Sequence, residues 1–526
     1  MGGPPVRRGR PSVGAKSALG ALGAAAAALT AHDLIQKKHS VLRNYPVVGH
    51  LRYLLEDIRP ELQQYFIERN WDGRPFDRDT RTIVYERAKG IHGEQAFGTE
   101  RDVNQPGYEY LIHSTAPLDP PKEEHRVMVG GPDCSKPYSM SLLNVSAMSF
   151  GALSANAIRA LNKGAAMGGF AHDTGEGGLS SYHRENGGDL VWEVGSGYFG
   201  TRTKDGDFDP DEFAEKSQID QVKCVSLKLS QGAKPGIGGV LPAAKVTKEI
   251  AEIREVPQGQ KCVSPSAHKV FRTPVELIEF IARMRELSGG KPAGFKLCVG
   301  SRMDVLAICK AILQVGTAPD FIIVDGSEGG TAAAPQEYED HVGMPLTHGL
   351  MTVHNALVGT GLRDRIRIGA SGKVATGSDI VKRLIQGADY TNAARAMMMA
   401  VGCIQAQQCH TDHCPVGVAT QSHRRARALD VGDKSERVKR FHEATVQQAA
   451  QIIGSMGAHA PAELTPHLLR INLSETESRS YAELYEWLEP GELLAEAPQS
   501  WAADWNAARA DNFLPATHHL RGGITP

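Results

Sequence analysis

Three cysteines stand close together late in the chain. Cys403, Cys409 and Cys414 occur at C-x5-C-x4-C spacing within GCIQAQQCHTDHCPVGVATQ (402–421), and Pro415 follows the last thiol directly. Soft thiolates bind iron and sulfide, and a cluster needs several of them converging from a short, turning backbone. Proline after the last thiol stops any helix there and exposes the loop. Spacing alone leaves other chemistry open: a zinc site completed by His410 or His413, or three unrelated buried thiols. Three ligands rather than four point to a three-iron cluster, or to a four-iron cluster with an outside ligand.

A second set of candidates lies in glycine-rich stretches: MSFG at 148–151, TGEGG at 174–178, KLSQGAKPGIGG at 228–239, DGSEGGT at 325–331 and GASGK at 369–373. Backbone N–H groups of such loops can cradle a phosphate. Any one of them can also be an ordinary tight turn, but their recurrence after successive apolar runs carries more weight than any single loop.

The elements that must position these residues read as repeated β-α units. Short apolar runs predict eight strands, over 142–150, 168–174, 191–198, 224–230, 294–299, 320–325, 366–370 and 390–394. Amphipathic stretches between them, including 155–168, 275–287, 303–315, 350–359 and 377–387, predict the outer helices. Eight such strands close a (β/α)8 TIM barrel, an α/β architecture whose active site is built from loops at the strand C-termini, with its phosphate site after the last two strands. A phosphate held there belongs naturally to flavin mononucleotide.

Composition narrows the class. Of 526 residues, 22% are charged and the formal net charge is -2, which gives no charge excess for nucleic acid. Eight cysteines at uneven spacing fit a reduced, cytoplasmic chain without a disulfide framework. No dinucleotide fingerprint sits on a strand-turn-helix, so direct NADPH binding is not expected.

The ends are expected to be helical. Arg7, Arg8, Arg10 and Lys16 precede an uncharged, alanine-rich run over 17–31, shorter than the ~20 residues of a spanning helix. It reads as a short membrane anchor, a leader or an ordinary helix. Leu51, Leu54, Leu55 and Ile58 recur at helical spacing and predict a helix packed on the main body. Residues 97–141 read as an extended lead-in, 438–453 as an amphipathic helix, and 481–493 as a short helix ended at proline. His518 and His519 read as solvated tail residues. The expected domains are 1–95, an N-terminal extension; 96–425, the barrel with its cysteine loop; and 426–526, a C-terminal helical extension.

Five ordered motifs, AMSFGALS (147–154), TGEGG (174–178), LSQGAKPGIGG (229–239), EGGTAAAP (328–335) and CIQAQQCHTDHCPVGVATQ (403–421), together resemble the central synthase domain of glutamate synthase. With its N-terminal segment, the chain resembles the stand-alone, FMN-binding glutamate synthase-like family. That resemblance implies a barrel carrying FMN and a 3Fe-4S cluster held by Cys403, Cys409 and Cys414. It implies reductive amination of 2-oxoglutarate to L-glutamate, with electrons from ferredoxin or an NADPH-oxidising subunit.

Carried over by position, the resemblance places Met148 and Ser149 beside the flavin ring and Lys296 near its N1–C2 edge. Gly329, Gly330, Thr331, Gly369, Ser371 and Gly372 would hold the phosphate. Glu176, Lys228 and Lys234 would be catalytic, and Gln231 and Arg254 would bind the oxo acid. The family's glutamine after the last glycine loop is here Val240, its arginine in the SGRFG turn is Tyr198, and Leu179 and Ser180 replace an acidic position. These losses leave the oxo acid open and keep alive a rival reading: an electron-transfer or assembly subunit that retains FMN and cluster without turnover. Glutamine-using synthases begin with a cysteine, whereas this chain starts Met1-Gly2, so ammonia or an alkylamine is the expected nitrogen donor.

Overall fold

The computed structural model describes residues 13–91, 93–121 and 123–513. Arg7, Arg8, Arg10, His518 and His519 lie outside them. Eight parallel strands close into a barrel: β1 (Leu143–Val145), β2 (His172–Asp173), β3 (Leu190–Val194), β4 (Val222–Lys228), β5 (Ala293–Leu297), β6 (Phe321–Asp325), β7 (Arg367–Ser371) and β8 (Tyr390–Ala393), with β8 pairing back onto β1. Every residue of β3, β5 and β6 is buried, as strands covered on both faces must be.

Each expected strand is present, and several end sooner than the apolar runs do. The backbone at Tyr198 is left-handed, with φ +48°, within a turn that follows β3. Gly169, at φ +67°, caps the helix before β2, so 168–171 are not strand. Residues beyond Val145 leave the sheet as the turn that carries Met148 and Ser149.

The outer helices fall where the pattern places them. In chain order the helices used below are α1 (Val13–Ile35), α2 (His50–Leu62), α3 (Arg78–Lys89), α4 (Ala155–Gly168), α5 (Lys248–Arg254), α6 (Pro274–Leu287), α7 (Arg302–Val315), α8 (Leu346–Gly359), α9 (Gly377–Ile385) and α10 (Val431–Ser455). Their starts are chemically specified. Ser154 caps α4 by accepting from the Ala157 N–H, and Thr273 with Glu276 and Thr376 with Asp379 form reciprocal capping boxes on α6 and α9.

Residues 97–141 do more than lead in. The hairpin Arg126–Val129/Tyr138–Ser141 sends Val129 and Met140 into a cluster with Ala171, Val191, Cys224, Phe321, Ile323 and Tyr390, near the strand N-termini. That plug leaves the opposite end of the barrel for chemistry. The single helix expected over 481–493 is two, Tyr481–Leu484 and Glu492–Ala495. Leu488 turns inward between them, donating its N–H to Asn355 Oδ1 at 3.0 Å, and Gly491 is left-handed.

By its contacts the chain divides into two compact units, residues 1–75 and 76–526. None of the described helices is long and apolar enough to cross a membrane.

Candidate active site

At the C-terminal mouth of the barrel, the loops after β2 and β4 bring Glu176 and Lys228 together. Lys228 Nζ donates to Glu176 Oε1 at 2.6 Å and to Gln231 Oε1 at 2.5 Å. Ser264 Oγ donates to the other carboxylate oxygen at 3.1 Å. The carboxylate fits because its neighbours lack side chains: a Cβ on Gly195 or Gly239 would fall onto its oxygens. Burial alone would raise the Glu176 carboxyl, but Lys228, Arg254 and the Ser264 hydroxyl outweigh it and hold it at about 2.

Lys234, in the same loop as Gln231, is buried and donates to the Ala333 carbonyl at 2.6 Å. Burial and then the neighbouring Lys228 charge bring its ammonium down to about 8. The loop is fixed by Asp325 at the end of β6, which accepts the Gly232 N–H at 2.7 Å. Arg254 ends α5 buried rather than on a helix surface. Its Nη2 donates to Ser149 Oγ at 3.2 Å and to the Phe150 carbonyl at 3.3 Å, so it meets the Met148–Ser149 turn directly.

Lys296 stands next to Lys228 across the β4–β5 register. Its ammonium forms an ion pair with Glu193 on β3, both nearly closed to solvent. Burial opposes that charge, but Glu193, Asp173 and Asp325 raise its pKa well above the ordinary lysine value. Asp173, pressed by burial and by the Glu193 charge, is raised instead.

Of the residues assigned to a phosphate, Gly329, Gly330 and Thr331 lie in the loop after β6 and Gly372 in the loop after β7, whereas Ser371 ends β7 and Gly369 lies inside that strand, paired with Ile323 and Tyr390. Those strands pair Asp325 with Ser371, and the Gly326 N–H donates to the Ser371 carbonyl at 2.8 Å. Ser371 Oγ lies 3.3 Å from Ser146 Oγ. A Cβ on Gly330 would meet Arg395 Nε at 2.7 Å, so backbone must be bare there; one on Gly369 would meet the ring of Tyr390, a member of the plug near the strand N-termini, so that glycine serves barrel packing rather than the phosphate loops. Arg395 itself donates to the Glu328 carbonyl at 2.5 Å. Bare N–H groups beside a guanidinium suit a phosphomonoester.

The cysteine loop is fastened to the turn after β1. Gln421 Nε2 donates to the Gly151 and Leu153 carbonyls at 3.1 and 2.9 Å, and the Ser154 N–H donates to the Val418 carbonyl at 2.9 Å. Asp412 accepts the Gln421 N–H at 2.6 Å and closes the loop on itself. Gln405, Gln407 and Asp412 all have positive φ, a sharply turning backbone for non-glycine residues. Cys414 is buried and Cys403 and Cys409 are half-buried. Burial and then the other two sulfurs push the Cys403 thiol up to about 12; burial and then Cys414 raise Cys409. Among the described residues no three His, Cys, Asp or Glu side chains are arranged to hold a metal ion.

Tyr198 does not face the mouth as the arginine it replaces was expected to. It is fully buried, and its hydroxyl accepts the Lys269 N–H at 3.0 Å and contacts His268 Nδ1 at 3.2 Å. His268 Nε2 in turn lies 2.8 Å from the Lys228 carbonyl. With the phenol donating to Nδ1, the imidazole is neutral and donates from Nε2; burial holds it so, bringing its pKa down to about 4. Val240 is half-buried in a short pairing with Val263. Ser264, His268, Glu193, Asp173 and Arg395 were not singled out from sequence. Arg395 was reachable, as a cation directly after the last strand; the others become meaningful only once distant loops meet.

Residues 111–459 match the conserved region in glutamate synthase. Glutamate synthase large subunit-like protein YerD of Bacillus subtilis is 38% identical over 470 residues, covering 82% of this chain and 89% of that one. An archaeal-type glutamate synthase (NADPH) of Thermotoga neapolitana is 33% identical over 316 residues, 60% of this chain and 59% of its own length. Among solved structures, a flavocytochrome b2 variant with sulfite bound aligns over 91% of this chain and 97% of that one, at 12% identity and TM-score 0.43. That likeness adds nothing to the strand order above.

Proposed function

The chain belongs to the glutamate synthase family, and from that premise we propose an iron–sulfur flavoprotein that reductively aminates 2-oxoglutarate or a related oxo acid to L-glutamate. Its nitrogen source is ammonia or an amine, and its electrons come from ferredoxin or an NADPH-oxidising subunit. The observation that carries this reading is the convergence of Glu176, Lys228, Gln231 and Lys234 at a barrel mouth whose Met148–Ser149 turn is tied, through Gln421, to the three-cysteine loop.

FMN would sit against Met148 and Ser149, with Lys296 at its ring and its phosphate on Gly329, Gly330, Thr331, Ser371 and Gly372; a 3Fe-4S cluster would be held by Cys403, Cys409 and Cys414. Bound there, the flavin supplies hydride and the cluster supplies its electrons. The chain's own side chains do the rest. Lys228 and Lys234 present two ammonium groups to a dianionic oxo acid, and Arg254 lies at the edge of the same space. The attacking species is neutral ammonia or amine; Glu176, ionised at any working pH, accepts hydrogen bonds from it and pairs with the cationic imine that forms once the carbonyl oxygen leaves as water. Lys234, at about 8, has the pKa suited to give a proton to the oxygen that leaves as water.

Protein purified without oxygen should show flavin and iron–sulfur absorption bands, with iron and FMN in fixed ratio. Supplied with 2-oxoglutarate, ammonium and a reduced donor, it should form glutamate. Reducible flavin without an amino acid product from ammonium or methylamine would assign the chain to electron transfer instead, the reading favoured by the inward turn of Tyr198 and the apolar Val240.

A further inference from the structure

Lys245 is the most buried lysine among the described residues, with 1% of its surface exposed. It ends a short 3-10 turn, Ala243–Lys245, just ahead of α5. Its Nζ donates to the Ala152 carbonyl at 3.0 Å and to the Ala419 carbonyl at 3.0 Å. Ala152 belongs to the turn after β1 and Ala419 to the cysteine loop. One ammonium therefore spans the junction that Gln421 already closes through the Gly151 and Leu153 carbonyls.

Fastening alone does not call for a charge there. Gln421 makes two such hydrogen bonds with a neutral amide, whereas a buried ammonium gives up its hydration and is costly unless an anion meets it. Elsewhere in the barrel that anion is at hand, since Lys228 has Glu176 and Lys296 has Glu193. Among the described residues Lys245 forms no ion pair, and the two carbonyls occupy two of its three N–H groups. The negative groups that act on it all lie in the cysteine loop. Burial lowers its pKa, and Asp412, Cys409 and Cys414, in that order, oppose the lowering. Three thiolates closed on iron and sulfide form an anion. A buried cation beside these sulfurs fits such a group; three neutral thiols would leave it with Asp412 alone.

We propose that the Lys245 ammonium is the counter-charge of the group held by Cys403, Cys409 and Cys414, and that it raises that group's reduction potential. The inference rests on the iron–sulfur reading given above. The one-electron-reduced group is more negative than the oxidised one, so a fixed cation nearby favours reduction, and the more so where burial keeps water from screening it. Lys245 is in this sense a positioning residue for charge, set between the turn that carries Met148 and Ser149 and the loop that carries the sulfurs.

The test is anaerobic spectroelectrochemical titration of the holoprotein, with iron–sulfur and flavin absorption followed separately and iron content and thermal unfolding measured beside them. Lys245→Met keeps the length and removes the charge, Lys245→Gln removes the charge and still donates a hydrogen bond, and Lys245→Arg keeps both. The first two should each shift the one-electron equilibrium of the iron–sulfur centre at least about ten-fold against reduction, a fall of about 59 mV in midpoint. Lys245→Arg should keep the wild-type midpoint. Loss of iron from the two uncharged variants but not from Lys245→Arg supports the same role. A wild-type midpoint in either uncharged variant, or one that Lys245→Arg lowers as far, assigns the residue to fastening and overturns the proposal, as does equal loss of iron from all three. Wild-type protein that binds FMN but no iron brings down the iron–sulfur reading and this inference with it, an outcome distinct from an unchanged midpoint in iron-loaded protein.

Discussion

Two lysine–glutamate pairs stand side by side in the barrel, joined by the register that sets Lys228 beside Lys296. Lys296 and Glu193 both project from strands into the packed interior, their side chains 5% and 2% exposed; Lys228 and Glu176 sit where strand gives way to loop, 9% and 14% exposed. The first pair lies deeper, with Asp173 and Asp325 also close to the ammonium. The second is seated in a loop: Glu176 rides on TGEGG and packs against Gly195 and Gly239, where a Cβ would fall onto its carboxylate. The same residue types at the same level of one barrel are therefore expected to serve different ends. Lys296 neutralises Glu193 and shares its charge with Asp173, so the interior remains foldable. Lys228 keeps Glu176 ionised and ready for a ligand.

Substitutions can break that contrast in order of size. Lys296→Met strands the buried Glu193 carboxylate, and breaking such a pair costs about 3–5 kcal/mol; thermal unfolding of the cofactor-stripped protein should fall by several degrees or the chain should fail to fold. Lys228→Met should keep most of that stability and lose about 10²–10³-fold in kcat/KM for the oxo acid, the scale of losing a fixed charge from a reaction site. Equal destabilisation by both would erase the distinction. A third, smaller effect is in pH. Lys234 carries its proton below about 8, so oxo-acid affinity is full below that value and is lost as pH rises through it. KM should climb about ten-fold per pH unit above the break while kcat changes less, and Lys234→Arg should move the break upward. The smallest expected change is in Tyr198→Phe, which leaves buried N–H groups of Lys269 and Val270 short of an acceptor at a cost of about 1–3 kcal/mol. By loosening His268 it should also lower kcat/KM a few-fold, where His268→Gln, which can still donate to the Lys228 carbonyl, should lower it less than His268→Ala.

The barrel was legible because parallel strands covered on both faces leave continuous apolar runs, and all eight can be seen in the chain. Their ends were not, since β3 stops at Val194 ahead of a turn that Tyr198 closes with a left-handed backbone, and the stop at Val145 depends on where Met148 must turn. The same limit applies to the site. Glu176, Lys228 and Gln231 could be picked out by motif and are found in one hydrogen-bonded group. Ser264 and His268 could not, because each reaches that group from a separate segment and neither has a local pattern. The replacement of an arginine by Tyr198 read as a loss of polarity at the mouth; the phenol instead points inward and holds the segment that supports Lys228. The helix α2 was visible as a helical period, but periodicity says only that one of its faces is apolar.

The most direct measurement is single-turnover reoxidation. Holoprotein reduced anaerobically and freed of excess reductant is mixed with 2-oxoglutarate, with ammonium, or with both, while the flavin absorbance and the product are followed. Reoxidation only with both present, yielding one glutamate per flavin and slowed about 10²–10³-fold by Lys228→Met, is the expected result. Flavin that stays reduced with both present, or that reoxidises equally fast in the Lys228→Met protein, would contradict the account.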